Sequence, residues 1–236
     1  MEETINAGIV TIYMNNINPE TVRLQRQVVQ KFNPKKYPHY SINVNMSHGH
    51  ALDLSWQLNG IDHPTFKDQK DKIPKKFDHD VLLFLDVDAV PLCEEALEYY
   101  IDFAARGWLI GNAQRSNHIQ NNQHMFAAPS VYAMSSDIFV SILRPSAIPT
   151  SRGDVGEEIT YAAEKSGIAP IKMIMPLKWE LMPSEGHSWA LKDGMPVYGC
   201  QTTFGEQDKP LFFHHFQIFH KNNQELFWRK CEALLQ

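Results

Sequence analysis

Asp86 and Asp88, separated by one residue, directly follow an uninterrupted apolar run, Val81-Leu82-Leu83-Phe84-Leu85. On an extended chain, side chains at i and i+2 point the same way, so the two carboxylates face one side while Val87 turns to the core. Two like charges held close are costly unless a cation joins them. A hard divalent ion with oxygen ligands, Mn2+ or Mg2+, suits such a pair and keeps positions open for substrate phosphates. An Asp-x-Asp pattern arises by chance about once in a chain this long, so its position carries the signal. Asp78-His79-Asp80 is the internal control: it has the same pattern but precedes the apolar run and reads as a solvated turn. Ligands of open α/β sheets bind beyond the carboxyl ends of the strands, which is where Asp86 and Asp88 fall. The competing structural reading has them capping the next helix, which Glu94 and Glu95 already serve.

The elements that must position this pair follow from periodicity and punctuation. Gly8 to Met14 is a short β-branched run and a first strand. Asn18-Pro19 opens a helix, with Asn18 capping and Pro19 in the first turn, and Asn33-Pro34 ends it. Tyr40, Ile42 and Val44 alternate with small polar residues as a second strand, and 49–58 reads as a short helix closed by Asn59-Gly60. Residues 61–79, rich in Pro, Lys and Asp, read as a loop with at most a short helix. Val81 to Leu85 has the composition of a central parallel strand buried on both faces. Helices are expected over 94–106, 136–143, 156–165 and 224–235, and strands over 108–110, 131–134, 171–175 and 211–219. This alternation implies an α/β fold with a mostly parallel central sheet flanked by helices. The second half reads as irregular. One domain is expected, with a ligand-binding half over about 1–112 and a second-substrate half over about 113–236.

Composition narrows the function. Of 236 residues, 43% are hydrophobic and 21% charged, the profile of a globular chain with a full core. A net charge of -5 argues against a nucleic-acid partner. Lys70, Lys72, Lys75 and Lys76 read as a solvated loop. Three widely spaced cysteines, Cys93, Cys200 and Cys231, form neither a disulfide framework nor a zinc motif, and fit a reducing compartment. The Met1-Glu2-Glu3 start has no basic leader, and no window reaches the roughly 20 apolar residues of a membrane span. A cytoplasmic chain without a membrane span is the expectation.

The stretch from Leu83 to Leu92 resembles the Asp-x-Asp segment of GT-A-fold glycosyltransferases. That resemblance implies a Rossmann-like GT-A fold and a nucleotide-sugar donor, UDP being the common nucleotide. It implies Asp88 as a direct metal ligand, with Asp86 reaching the ribose or the metal through water. Thr11-Ile12-Tyr13 matches the strand end where the family lays the base, which implicates Thr11 and Tyr13. Gly153 to Glu158 resembles the acidic segment that carries the catalytic base of inverting members. The Glu-Glu here, where many members have Glu-Asp, leaves the base open among Asp154, Glu157 and Glu158. Phe212 to Phe216 resembles the late strand that supplies a histidine ligand. Neighbouring strand residues point to opposite faces, so one of His214 and His215 can serve, and the resemblance favours His214.

Further residues complete the expected site. Ser47-His48-Gly49-His50 leads into a helix whose N-terminus faces the nucleotide pocket, with His48 set to meet a phosphate or base. Asn45, at the end of the second strand, is placed to hydrogen-bond the base. Val87 lies between the ligands. Trp189 is the candidate for stacking on an acceptor sugar. The reaction implied is transfer of a sugar to the hydroxyl of a glycan or other acceptor, with inversion. Three alternatives stand: a haloacid-dehalogenase-like phosphatase with Asp86 as nucleophile, a non-catalytic nucleotide-sugar-binding module, and a nucleotidyltransferase. The first is disfavoured by the two strand-helix units before Asp86, the last by the lack of a Gly-rich, basic loop after the first strand.

Overall fold

The computed structural model describes residues 5–116, 124–180, 191–192, 195–196, 201–216, 218 and 221–236. The strands are β1 (Ala7–Met14), β2 (His39–Val44), β3 (Val81–Asp86), β4 (Ala89–Pro91), β5 (Leu109–Arg115), β6 (Met125–Ser135), β7 (Ile171–Ile174), β8 (Pro176–Glu180), β9 (Leu191–Lys192), β10 (Met195–Pro196), β11 (Gln201–Glu206) and β12 (Lys209–His215). The helices are α1 (Pro19–Lys31), α2 (His48–Leu58), α3 (Glu95–Ala105), α4 (Ser136–Ser141), α5 (Glu157–Ser166) and α6 (Lys221–Leu235).

A six-stranded central sheet runs β2-β1-β3-β6-β5-β7. β1 is parallel to β2 and β3, and β5 is parallel to β7. β6 runs antiparallel to both its neighbours, β3 and β5. The sheet is thus mostly parallel, as the alternation of elements implies, with one reversed strand inside it. The reversal follows from connectivity: β5 and β6 pair Arg115 with Met125 at their shared end, so the chain doubles back on itself.

The expectation of an irregular second half is corrected. A four-stranded sheet of order β4-β12-β11-β8 is built largely from it, with antiparallel pairing throughout. β11 and β8 were not legible because each is short and takes its place from its partners rather than from a strong pattern of its own. β9 and β10 form a small antiparallel pair.

Three packed clusters hold these layers. β3 is buried on both faces, as its unbroken apolar run requires. Val81, Leu83 and Leu85 pack with Ala96, Tyr100 and Ile101 of α3. Leu82 and Phe84 face the other way, onto Trp56 of α2, Phe139 of α4 and Ile159 of α5. Phe84 stacks on Tyr132 at 4.5 Å, and Trp56 stacks on Phe139 at 4.1 Å. The third cluster joins α1, β4, β12 and α6 through Val22, Val28, Val90, Phe213 and Phe227. It clamps the two β-sheets together beside the carboxyl end of β3.

Two helix starts are fixed in different ways. Asn18 accepts a hydrogen bond from the Glu20 N–H at 2.9 Å, with Pro19 following, so the expected cap of α1 is formed. The start of α2 is fixed by packing instead. A Cβ on Gly49 would lie 2.7 Å from the Ala147 carbonyl oxygen and 2.7 Å from the Ile148 Cα. Asp53, buried on the same helix, accepts from the Ala147 N–H and from the Ser146 and Thr65 hydroxyls, each at 2.7 Å. Gly49→Ala should therefore push α2 off residues 147–148 and carry His48 with it. The expected cost is about 1–3 kcal/mol, read from urea unfolding; an unchanged midpoint would show that this approach is not tight.

Among the described residues, no helix is long and apolar enough to cross a membrane. Cys93 and Cys231 are free thiols; Cys200 lies outside the described residues.

Candidate metal centre

The centre is assembled where β3 ends and the second sheet begins. β3 delivers Asp86, the chain continues through Val87 to Asp88, and β4 starts at Ala89. β12 then lies antiparallel against β4, with His214 opposite Ala89 and Phe213 opposite Val90. The His215 N–H donates to the Asp88 carbonyl at 2.9 Å, which locks this register. Alternation along β12 then sends the His214 ring to the two aspartates and the His215 ring to the opposite face.

The geometry is that of a three-ligand set. His214 Nε2 lies 3.3 Å from Asp88 Oδ1 and 3.9 Å from Asp86 Oδ2. One ligand atom from each of Asp86, Asp88 and His214 lies within 4.8 Å of the others. His214 and Asp88 are buried, at 2% and 7% exposure, and Asp86 is half-buried. Two carboxylate oxygens and one imidazole nitrogen could together hold a divalent ion. His215 takes no part. Its Nδ1 sits 3.1 Å from the Phe216 carbonyl, and burial pushes its pKa down.

His48, at the first turn of α2, reaches the same centre from the other side. Its Nε2 lies 3.1 Å from Asp86 Oδ1. Burial alone would favour the neutral rings of His48 and His214. The neighbouring carboxylates outweigh it: Asp86, then Asp88 and Asp154, raise the pKa of His48, and Asp88 and Asp86 raise that of His214.

These directions fix a pH dependence. In cation-free protein both rings have a folded pKa above their unfolded value near 6.5, so their stabilisation is complete below about pH 6.5. It is lost as pH rises through the raised folded values. Cation binding needs His214 neutral and displaces its proton, so affinity must climb over the same range. The expected result is a thermal stabilisation by Mn2+ that grows from pH 6 to pH 8; a stabilisation independent of pH would contradict it.

A cavity of about 170 Å³ opens beside the centre. Asp86, Asp88, His48 and His214 form its polar end, and Ile12, Tyr13, Val44, Val87 and Phe216 belong to its wall. The other residues expected at the site are placed as follows. Tyr13 and Val87 line the cavity. Thr11 does not: it is fully buried in β1, where its hydroxyl lies 2.9 Å from His39 Nε2 and accepts from Gln25 Nε2 at 3.0 Å. It sits too far back along the strand, and that expectation is corrected. Asn45 is exposed, one residue beyond the lining residue Val44, and is not part of the wall. Phe216 and Ile218 were not anticipated. Both lie beyond the end of β12, outside any strand alternation, and line the cavity with His214. Trp189 lies outside the described residues.

The acidic turn before α5 sorts its three carboxylates. Glu157 is fully buried and its carboxylate is committed: it accepts from Ser116 Oγ and the Asp154 N–H, each at 2.7 Å, and lies 2.6 Å from His124 Nδ1. Glu158 pairs with Arg152 and accepts from Thr150 Oγ1 at 2.8 Å. The Arg152 hydrogen bond, reinforced by Thr150, holds its carboxyl below the usual range. Asp154 accepts from the Val155 N–H at 2.7 Å and is the member of the trio whose charge reaches His48.

No family model matches the sequence, and no curated protein matches it. Among solved structures, A197 from STIV resembles the chain with a TM-score of 0.38 and 12% sequence identity, over 67% of this chain and 77% of that one.

Proposed function

We propose that the chain is a GT-A-type glycosyltransferase that depends on a divalent cation and takes a sugar from a nucleotide-sugar, a UDP-sugar by the resemblance of its Asp-x-Asp segment. The observation that carries this reading is the convergence of Asp86, Asp88 and His214 at the polar end of a mostly apolar cavity. Asp86, Asp88 and His214 would hold Mn2+ or Mg2+, which when bound would supply a Lewis acid for the departing diphosphate.

The remaining roles belong to the chain. Tyr13, Ile12 and Val44 offer an apolar wall for the nucleoside, with Phe216 beside His214. His48 presents an N–H to the phosphates from the first turn of α2. Asp154, which accepts from the Val155 N–H and whose charge reaches His48 beside the centre, is the general base that takes the proton of the acceptor hydroxyl. Glu157 positions it by accepting the Asp154 N–H. Attack from the Asp154 side gives inversion at the anomeric carbon. The acceptor is a glycan or other hydroxyl-bearing molecule.

The test is turnover across a panel of nucleotide-sugars with Mn2+, following release of nucleoside diphosphate and the anomer formed by NMR. Cation-dependent release with an inverted product is expected. Binding without release would leave a non-catalytic module. Phosphate release from an aryl phosphate, abolished by Asp86→Asn, would replace the reading with a phosphatase.

A further inference from the structure

β2 is the terminal strand of the central sheet and, among the described residues, pairs with β1 alone. The Ile9 N–H donates to the Pro38 carbonyl at 2.8 Å, and Ile9 stands opposite His39 in the register. In a parallel ladder this turns the N–H and C=O of Tyr40, Ile42 and Val44 toward β1. Those of His39, Ser41 and Asn43 point outward. Natural edge strands are blunted by lysines, prolines or bulges. From His39 to Asn43, β2 carries none of these.

A groove follows this open edge. It has a volume of about 680 Å³ and is walled by the five consecutive residues 39–43, by Arg26 of α1, and by Lys76 and Phe77. An adjoining groove of about 500 Å³ shares Arg26 and His39 and adds Lys36. No carboxylate lines either groove. Among the described residues Arg26, Lys36 and Lys76 form no ion pair, and the acid nearest to Lys76 in sequence, Asp78, is held by Lys75 at 2.9 Å. A chain of net charge -5 thus leaves three uncompensated cations around one unblunted strand edge.

We infer that the outer edge of β2 is a docking strand for an extended acidic peptide of another protein, which adds to the central sheet. Its backbone pairs with the outward groups of Ser41 and Asn43, and its acidic side chains meet Arg26 and Lys36 on one face and Lys76 on the other. A second copy of this chain fits poorly, because two-fold pairing of β2 with itself would set the same cations against one another.

The probe is a capped peptide of repeated Glu-Glu-Val-Val, about the length of one strand, which puts carboxylates on both faces, with a Lys-Lys-Val-Val peptide as its counterpart. Binding is read by calorimetry and by amide hydrogen exchange. The acidic peptide is expected to bind and to slow exchange at Ser41 and Asn43, while the basic one does not bind. Ser41→Pro removes an outward N–H and spares the β1–β2 ladder, so it should keep its melting temperature and lose binding. The pair Arg26→Glu with Lys76→Glu keeps the backbone intact and should weaken binding about tenfold or more; it decides the matter if the proline variant does not fold. Four results would each overturn the proposal: no binding of the acidic peptide, equal binding of both peptides, binding that survives in folded Ser41→Pro or in the charge-reversed pair, or a dimer that Ser41→Pro dissolves.

Discussion

Asp88→Asn should abolish cation-dependent turnover, with a loss of about a thousandfold, while the protein stays folded. Asp88 is buried, lies against His214 and belongs to the three-ligand set. Replacing its carboxylate by an amide removes a charged ligand from a site with few others, and the effect falls on the developing charge of the leaving diphosphate. The same change relieves the repulsion between Asp86 and Asp88 in the cation-free protein. Melting without cation should therefore stay near that of the parent. The stabilisation by Mn2+ with UDP, which depends on binding to the folded state alone, should vanish. A variant that melts normally and still turns over would remove Asp88 from the mechanism.

The place of Asp86 and Asp88 was readable in the sequence because a run of five apolar residues defines a buried strand and the aspartates close it. The cap of α1 was readable for an equally local reason, the Asn18-Pro19 start. What could not be read was set by distance along the chain. β4 is three residues long and is a strand only because β12, more than a hundred residues later, pairs with it. That same pairing decides between His214 and His215, which sequence alternation could separate but not choose. Thr11 and Tyr13 share one face of β1, yet only the position of the sheet's end tells which of them meets the cavity. The acidic turn poses the same problem: three carboxylates within five residues look equivalent until their partners are known, and Glu157 turns inward to Ser116 and His124.

The second large effect separates those carboxylates. Asp154→Asn should lower kcat by about 10²- to 10⁴-fold and leave donor affinity intact, as expected for loss of a general base. The matched change Glu157→Gln acts through structure. It replaces a fully buried carboxylate that accepts from Ser116 and the Asp154 N–H, so the expected cost is about 3 kcal/mol of stability. Activity should fall with it, because the turn that holds Asp154 loosens. The discriminating readouts are the kcat and KM split for Asp154→Asn and the urea midpoint for Glu157→Gln. If Glu157→Gln abolished turnover at unchanged stability while Asp154→Asn remained active, the two roles would have to be exchanged.

The most direct measurement is the anomalous scattering of manganese from crystals grown with Mn2+ and UDP. One peak is predicted, bounded by Asp86, Asp88 and His214 and touching the diphosphate, with the uridine along Tyr13 and Val44. Manganese or UDP bound elsewhere, with the three side chains left as they stand now, would contradict it.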